Sequence, residues 1–193
     1  MRIPLSALLG MIFTGAFFLA AIFADFIAPY PLDAAVGGVW EGPSAQYWLG
    51  TDPIGRDILS RMIYGGQITI FVATASSLLA FSLGAFLGFL AATQGGWVDQ
   101  LLSRRVALVI AIPSLIIALV VLSVLPINLT VLILVMGILD ATRVFRLSRA
   151  VAQGILTMDY IEVARMRATG LFWLIRREGL PNAAAPLFAE FGL

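Results

Sequence analysis

From Leu5 to Ala24 the chain runs without a charged residue. About twenty mostly apolar residues, rising about 1.5 Å each, cover roughly 30 Å, the thickness of a bilayer's hydrocarbon core. No water is present there to satisfy peptide groups, so such a segment must be a helix that closes its own hydrogen bonds. Comparable runs recur at Ile68 to Ala92 and Val106 to Leu125, and a shorter one runs from Leu129 to about Leu139. Little is left for a water-soluble core. Composition agrees: 12% of residues are charged, against about 25% in globular domains, and the mean hydropathy is +1.00.

A cleaved secretory signal, with Arg2 as its basic flank, is the alternative reading of the first run. Signal cores are about 7–15 residues long, and this run continues through Phe26-Ile27-Ala28. It is read as an uncleaved span. The whole of 1–193 then reads as a single transmembrane domain, with spans over about 5–28, 68–92, 106–125 and 127–143. An external segment covers 29–67, a cytoplasmic segment 144–182, and 183–193 starts a further helix too short to cross a bilayer. The expected fold is an all-α integral membrane protein of about four transmembrane helices plus the start of a fifth, incomplete at its C-terminus.

Within the second span Ala73, Ser77, Ala80, Gly84 and Gly88 form a small-residue stripe that lets another helix backbone approach closely. Gln94 to Asp99 reads as a turn. Pro113 is expected to kink the third span, and both a kink beside a pore and an irregularity of packing stay open. Pro126-Ile127-Asn128 is a tight turn. Asp140, Arg143, Arg146 and Arg149 then continue the fourth helix out of the lipid as a solvated end, with Asp140 and Arg143 as a local pair.

The external segment is rich in Pro and Gly. Thr51-Asp52-Pro53 reads as a cap followed by Pro in a first helical turn. Ile54, Ile58 and Arg61 then share a face of a helix along the interface, with Tyr47 and Trp48 as headgroup-level anchors. Asp52, Arg56 and Asp57 admit an ion-binding or catalytic reading, but a salt-bridged helix start fits better because no base or further ligand accompanies them.

The other polar island is Asp159 to Asn182. Asp159 and Glu162 make an N-cap and its capping-box partner, and Ile161, Ala164 and Ala168 make a narrow apolar face. Gly170 offers the left-handed end of that helix, and Leu171 to Glu178 begins a second one stopped by Gly179 and Pro181. Helices this short need a surface to lie on. Their own bundle or lipid headgroups would serve, and so would a soluble partner.

All 12 basic residues are Arg, and the chain has no Lys, His or Cys. Disulfides, thiol nucleophiles, imidazole bases and the usual zinc sites are therefore excluded, and a net charge of +1 gives no reason to expect nucleic acid. With the N-terminus in the cytoplasm, only Arg56 and Arg61 fall outside, beside Asp33, Glu41, Asp52 and Asp57. The opposite topology violates the positive-inside rule. The island at 159–182 therefore faces the cytoplasm.

A cytoplasmic segment reading Glu162-Val163-Ala164, then Gly170, then Leu180-Pro181-Asn182 resembles the EAA loop of permease subunits of bacterial ABC importers. The stretch Trp48 to Arg61, with Gly50, Thr51, Asp52, Gly55, Arg56 and Asp57, resembles the external segment of the dipeptide, oligopeptide and nickel branch, specifically its C-type permease. Gly95-Gly96-Trp97-Val98-Asp99 and Ala111-Ile112-Pro113 fit the same branch. The resemblance covers nearly the whole chain, with one departure: the family's loop glycine falls at Ala168, while the glycine here is Gly170.

The resemblance implies a permease that couples ATP hydrolysis by partner subunits to uptake of a peptide or related solute across the inner membrane. Asp159, Glu162, Val163, Ala164, Arg165, Ala168, Gly170 and Pro181 would dock on an ATP-binding subunit. The implied partners are a second, B-type permease, two ATP-binding subunits, an external substrate-binding protein and the bilayer. The chain itself would bind no cofactor, ATP-Mg belonging to the partners, and would not be an enzyme. Such permeases usually continue for further helices, so a truncated or split remnant is one alternative. Another is an ion-driven transporter or channel, which would want acidic residues at mid-span, whereas Asp25 and Asp140 sit at span ends. An intramembrane enzyme is disfavoured by the missing His and Cys.

Overall fold

The computed structural model of the chain describes residues 4–126 and 128–156. The helices among them are α1 (Leu5–Ile22), α2 (Ala24–Ile27), α3 (Ile58–Gln94), α4 (Gly96–Ile110), α5 (Ser114–Val124) and α6 (Leu129–Leu156). In place of strands there are isolated bridges, Ala35 with Arg56 and Thr51 with Asp57. The chain divides into two compact units at Ala73 and Thr74, so α3 runs through the division.

In the first unit α1 is apolar on every side and buries only Ala21. Phe13, Phe17 and Ile22 lie mostly exposed, as a helix facing lipid requires. The expected span over 5–28 is interrupted at Phe23, which leaves helical geometry at φ −98° and ψ 21° before α2 resumes. Residues 28–57 are almost entirely non-helical. The helix expected from Pro53 starts only at Ile58, because Asp52 closes a turn rather than capping a helix (below).

In the second unit the end of α3 lies along α6. Phe89, Ala152 and Ile155 form the buried core there, with Phe81, Leu147 and Val151 against it. The buried face of α6 is Gly137, Ala141, Val144, Phe145, Ser148, Ala152 and Ile155, the spacing of one helical stripe. Asn128 starts this helix: its Oδ1 accepts from Val131 N at 2.8 Å, an N-cap. The turn expected over Gln94 to Asp99 narrows to Gly95, at φ 63°, and α4 begins at once.

Pro113 has no N–H to donate to a helix. There the third expected span becomes two helices, α4 and α5, bent by 83°. By length and apolarity α1 and α3 can each cross a membrane, and the bent pair makes a third span if taken as one. α6, the fourth expected span, does not reach that length of apolar sequence: Asp140 and the arginines occupy its second half.

Candidate functional site

Residues 29–57 are tied together by the Gly50 to Asp57 stretch. Thr51, 1% exposed, is the central knot. Its N–H donates to Glu41 O at 3.0 Å, its hydroxyl donates to Gly38 O at 2.6 Å, and the same oxygen accepts from Glu41 N at 2.8 Å. Gly50 and Gly55 both stand at φ 80°, a left-handed conformation that glycine adopts without strain. A side chain at either would run into backbone, Glu41 O for Gly50 and Gly37 O for Gly55.

Asp52 gathers four donors. Its Oδ1 accepts from Ile54 N at 2.8 Å and Arg56 N at 3.0 Å. Its Oδ2 accepts from Arg56 Nε at 2.9 Å and Arg61 Nη1 at 2.5 Å. Burial pushes its carboxyl up, but the bonds from Arg56 and Ile54 N–H and from the Arg56 guanidinium outweigh it and hold the carboxyl well below the usual range. Asp57, not Asp52, caps α3: its Oδ2 accepts from Ser60 N at 2.8 Å and Ser60 Oγ at 2.7 Å. Ser60 Oγ in turn accepts from Tyr30 N at 3.1 Å. Asp52, Arg56 and Asp57 are thus engaged with one another's surroundings as a structural cluster. Among the described residues no group of acidic side chains is arranged to hold a metal ion.

Tyr47 is not a headgroup anchor. It is buried, its ring is 5.8 Å from that of Tyr30, and its hydroxyl donates to Val36 O. Trp48 is 71% exposed and free to meet an interface.

In the second unit, Ala80, Gly84 and Gly88 of the small-residue stripe are buried, Ser77 is half-buried and Ala73, in the first unit, is exposed. Gly84 faces Ala141, Val144 and Phe145, and Gly88 faces Phe145, Ser148 and Arg149, close enough that backbone nearly meets backbone. α4 and α6 are fastened by a pair that local sequence patterns do not reveal. Arg149 donates from Nε to Asp99 Oδ1 at 2.5 Å and from Nη2 to Oδ2 at 2.6 Å. Ser103 Oγ adds a third bond to Asp99 at 3.1 Å. Arg149 is therefore not a merely solvated helix end, and Asp140 forms no ion pair with Arg143 among the described residues. An open cleft of about 830 Å³ lies between the α4–α5 elbow and α6, lined by Ile110, Pro113, Leu139, Asp140, Arg143 and Arg146.

The residues expected to dock on a partner, Asp159, Glu162, Val163, Ala164, Arg165, Ala168, Gly170 and Pro181, lie outside the described residues, as does the apolar run 183–193. Nothing in the described part resembles a catalytic constellation. Arg149 with Asp99 joins α4 to α6, and Gly84 and Gly88 let α3 approach α6 closely.

Comparison with known proteins gives a consistent result. The family described as binding-protein-dependent transport system inner membrane component matches residues 84–193. The chain is 35% identical over 191 residues to the dipeptide transport system permease protein of Haemophilus influenzae, covering 95% of this chain and 65% of that one. It is 30% identical to the di/tripeptide transport system permease protein of Pseudomonas aeruginosa, covering 95% and 63%. A dipeptide transport system permease protein of Alkalihalophilus pseudofirmus is 29% identical, with 95% and 61% covered. The chain thus spans less than two thirds of the length of these relatives.

Proposed function

The chain belongs to the family of binding-protein-dependent transport system inner membrane components, and on that premise we propose that it is a permease subunit of an ATP-binding cassette importer for peptides or a related small solute. The observation that carries the reading is the similarity, over 95% of the chain, to a protein named for dipeptide transport. This membrane protein resides in a bacterial inner membrane with its N-terminus in the cytoplasm, as the distribution of arginines supports. Its partners are a second permease of B type, two ATP-binding subunits that carry ATP-Mg, and an external substrate-binding protein.

Glu162, Ala164, Arg165 and Ala168 dock on an ATP-binding subunit, and closure of that subunit on nucleotide moves the segment after Leu156. The chain breaks no bond itself. The absence of Cys makes the docking directly testable. With Ala168→Cys as its one cysteine, the chain in membranes with an ATP-binding partner is expected to crosslink to a cysteine placed in the partner's groove, with a yield that changes when nucleotide is added. A correctly inserted chain, joined to its partners but giving no crosslink at any nucleotide state, would sink the docking assignment.

A further inference from the structure

We infer that Asp99 and Arg149 form a positioning latch that makes α4 move with the outgoing end of α6, so that displacement of the segment after Leu156 reaches the elbow at Ala111–Pro113. The inference rests on the coupling role proposed above and assigns it a transmission element.

Among the described residues this is the one ion pair that joins two helices, and it spans fifty positions of sequence. Both guanidinium bonds are made in parallel. A fork bound to a carboxylate fixes orientation as well as distance, which a point charge does not. Ser103, one turn along α4, holds the carboxylate from its own helix, so the acceptor is oriented before Arg149 reaches it.

The two helices are anchored very differently. α6 carries a full buried face, and its stretch around Arg149 is pressed on Gly88 and the Phe89 core. α4 has no buried residue at all. Its N-terminal end is joined to α3 through Gly95, whose N–H donates to Ala91 O, and Asp99 adds the side-chain bonds that tie it to α6. Its other end is the elbow, where Pro113 cannot donate the hydrogen bond that would carry a helix across and the axis turns by 83°. A helix held at one end by α3 and by its ion pair to α6, and hinged at the other, has the layout of a connecting rod. Its fastened end sits on the helix whose last described residue, Leu156, leads into the docking segment. A partly buried ion pair is weak evidence for stability by itself, and the anchoring asymmetry is what gives this one a task.

The test uses the full chain in membranes with its partner subunits. Asp99→Asn, nearly isosteric, is expected to leave membrane insertion and the nucleotide-sensitive crosslink from Ala168→Cys unchanged. Dipeptide uptake per ATP hydrolysed falls about tenfold, within the usual range for coupling between two sites. In a separate Asp99→Cys, Arg149→Cys chain, bridging the pair with a bifunctional thiol reagent restores uptake per ATP, and reducing the bridge removes it again. A merely structural pair would lower insertion, docking and uptake together, and that outcome overturns the latch. So does an unchanged uptake per ATP in Asp99→Asn, or no rescue on bridging. If the chain carrying Ala168→Cys alone, with Asp99 intact, shows no crosslink and no uptake, the transport reading has failed instead. The latch is then decided by hydrogen exchange: faster exchange along Gly96–Ile110 in Asp99→Asn, with α6 unchanged, upholds it, and equal protection overturns it.

Discussion

Gly88→Leu is expected to separate the end of α3 from α6 and to destabilise the second unit by about 3 kcal/mol or more, the upper range for forcing volume into a closed contact. Even a methyl group at Gly88 would lie 2.7 Å from Phe145 O, 2.8 Å from Ser148 Cβ and 2.9 Å from Arg149 N. Two of those atoms are backbone, so no rotamer change relieves the overlap. The helix itself has to move, and with it the Phe89–Ala152–Ile155 core. Gly84→Leu is expected to act alike, since its Cβ would meet Ala141 O and Val144 Cβ, both at 2.6 Å. Gly66→Ala supplies the control: nothing lies within 4 Å of a Cβ there, so the change is neutral or slightly favourable to the helix. Thermal unfolding in detergent, followed by tryptophan fluorescence, measures all three. An unchanged midpoint for Gly88→Leu would mean that α3 and α6 do not meet as described.

Asp52→Ala is expected to open the segment 29–57, raising its rate of proteolytic cleavage by about tenfold or more through local unfolding. The substitution strands Ile54 N–H, Arg56 N–H and two guanidinium groups at once. The same carboxylate sets a pH dependence. Its folded-state value lies below the ordinary 3.8, so its stabilising effect is complete above that value and is lost as the pH falls below it toward the lowered folded-state value. Protease resistance of the segment 29–57 is expected to hold level from neutral pH down to about pH 4 and to decline below. Asp52→Asn is expected to remove this acid response while keeping part of the hydrogen bonding. A decline that begins near neutral pH would contradict the assignment.

The parts of the fold visible in the sequence are those governed by local rules. Apolar length marks α1 and α3, Pro113 marks the elbow, and Asn128 marks the start of α6. Helical spacing singles out Gly84 and Gly88 as sites of close approach, although it does not name α6 as the neighbour. The misreadings share a cause. Thr51-Asp52-Pro53 has the composition of a helix cap, yet Asp52 is drawn to Arg56 and Arg61, and the cap passes to Asp57. Tyr47 has the amphipathic chemistry of an interfacial anchor, yet Tyr30 and Val36 O take its ring and hydroxyl into the interior. Arg149 sits in a row of evenly spaced arginines that looks solvated. Its partner Asp99 lies fifty positions away on another helix, beyond the reach of any periodicity. The local sign is an acidic residue, Asp99, three positions after Gly96. The expected docking residues rest on a motif, and they lie outside the described residues.

The central claim, that this chain couples ATP hydrolysis by partner subunits to solute entry, is tested most directly by reconstituting it into liposomes with those partners and the substrate-binding protein. Uptake of a labelled dipeptide is then measured with and without ATP, and with and without an uncoupler. The account predicts uptake that requires ATP and the binding protein and is unaffected when the ion gradient is collapsed. Uptake that proceeds without ATP and disappears with the uncoupler would contradict it and point to an ion-driven transporter.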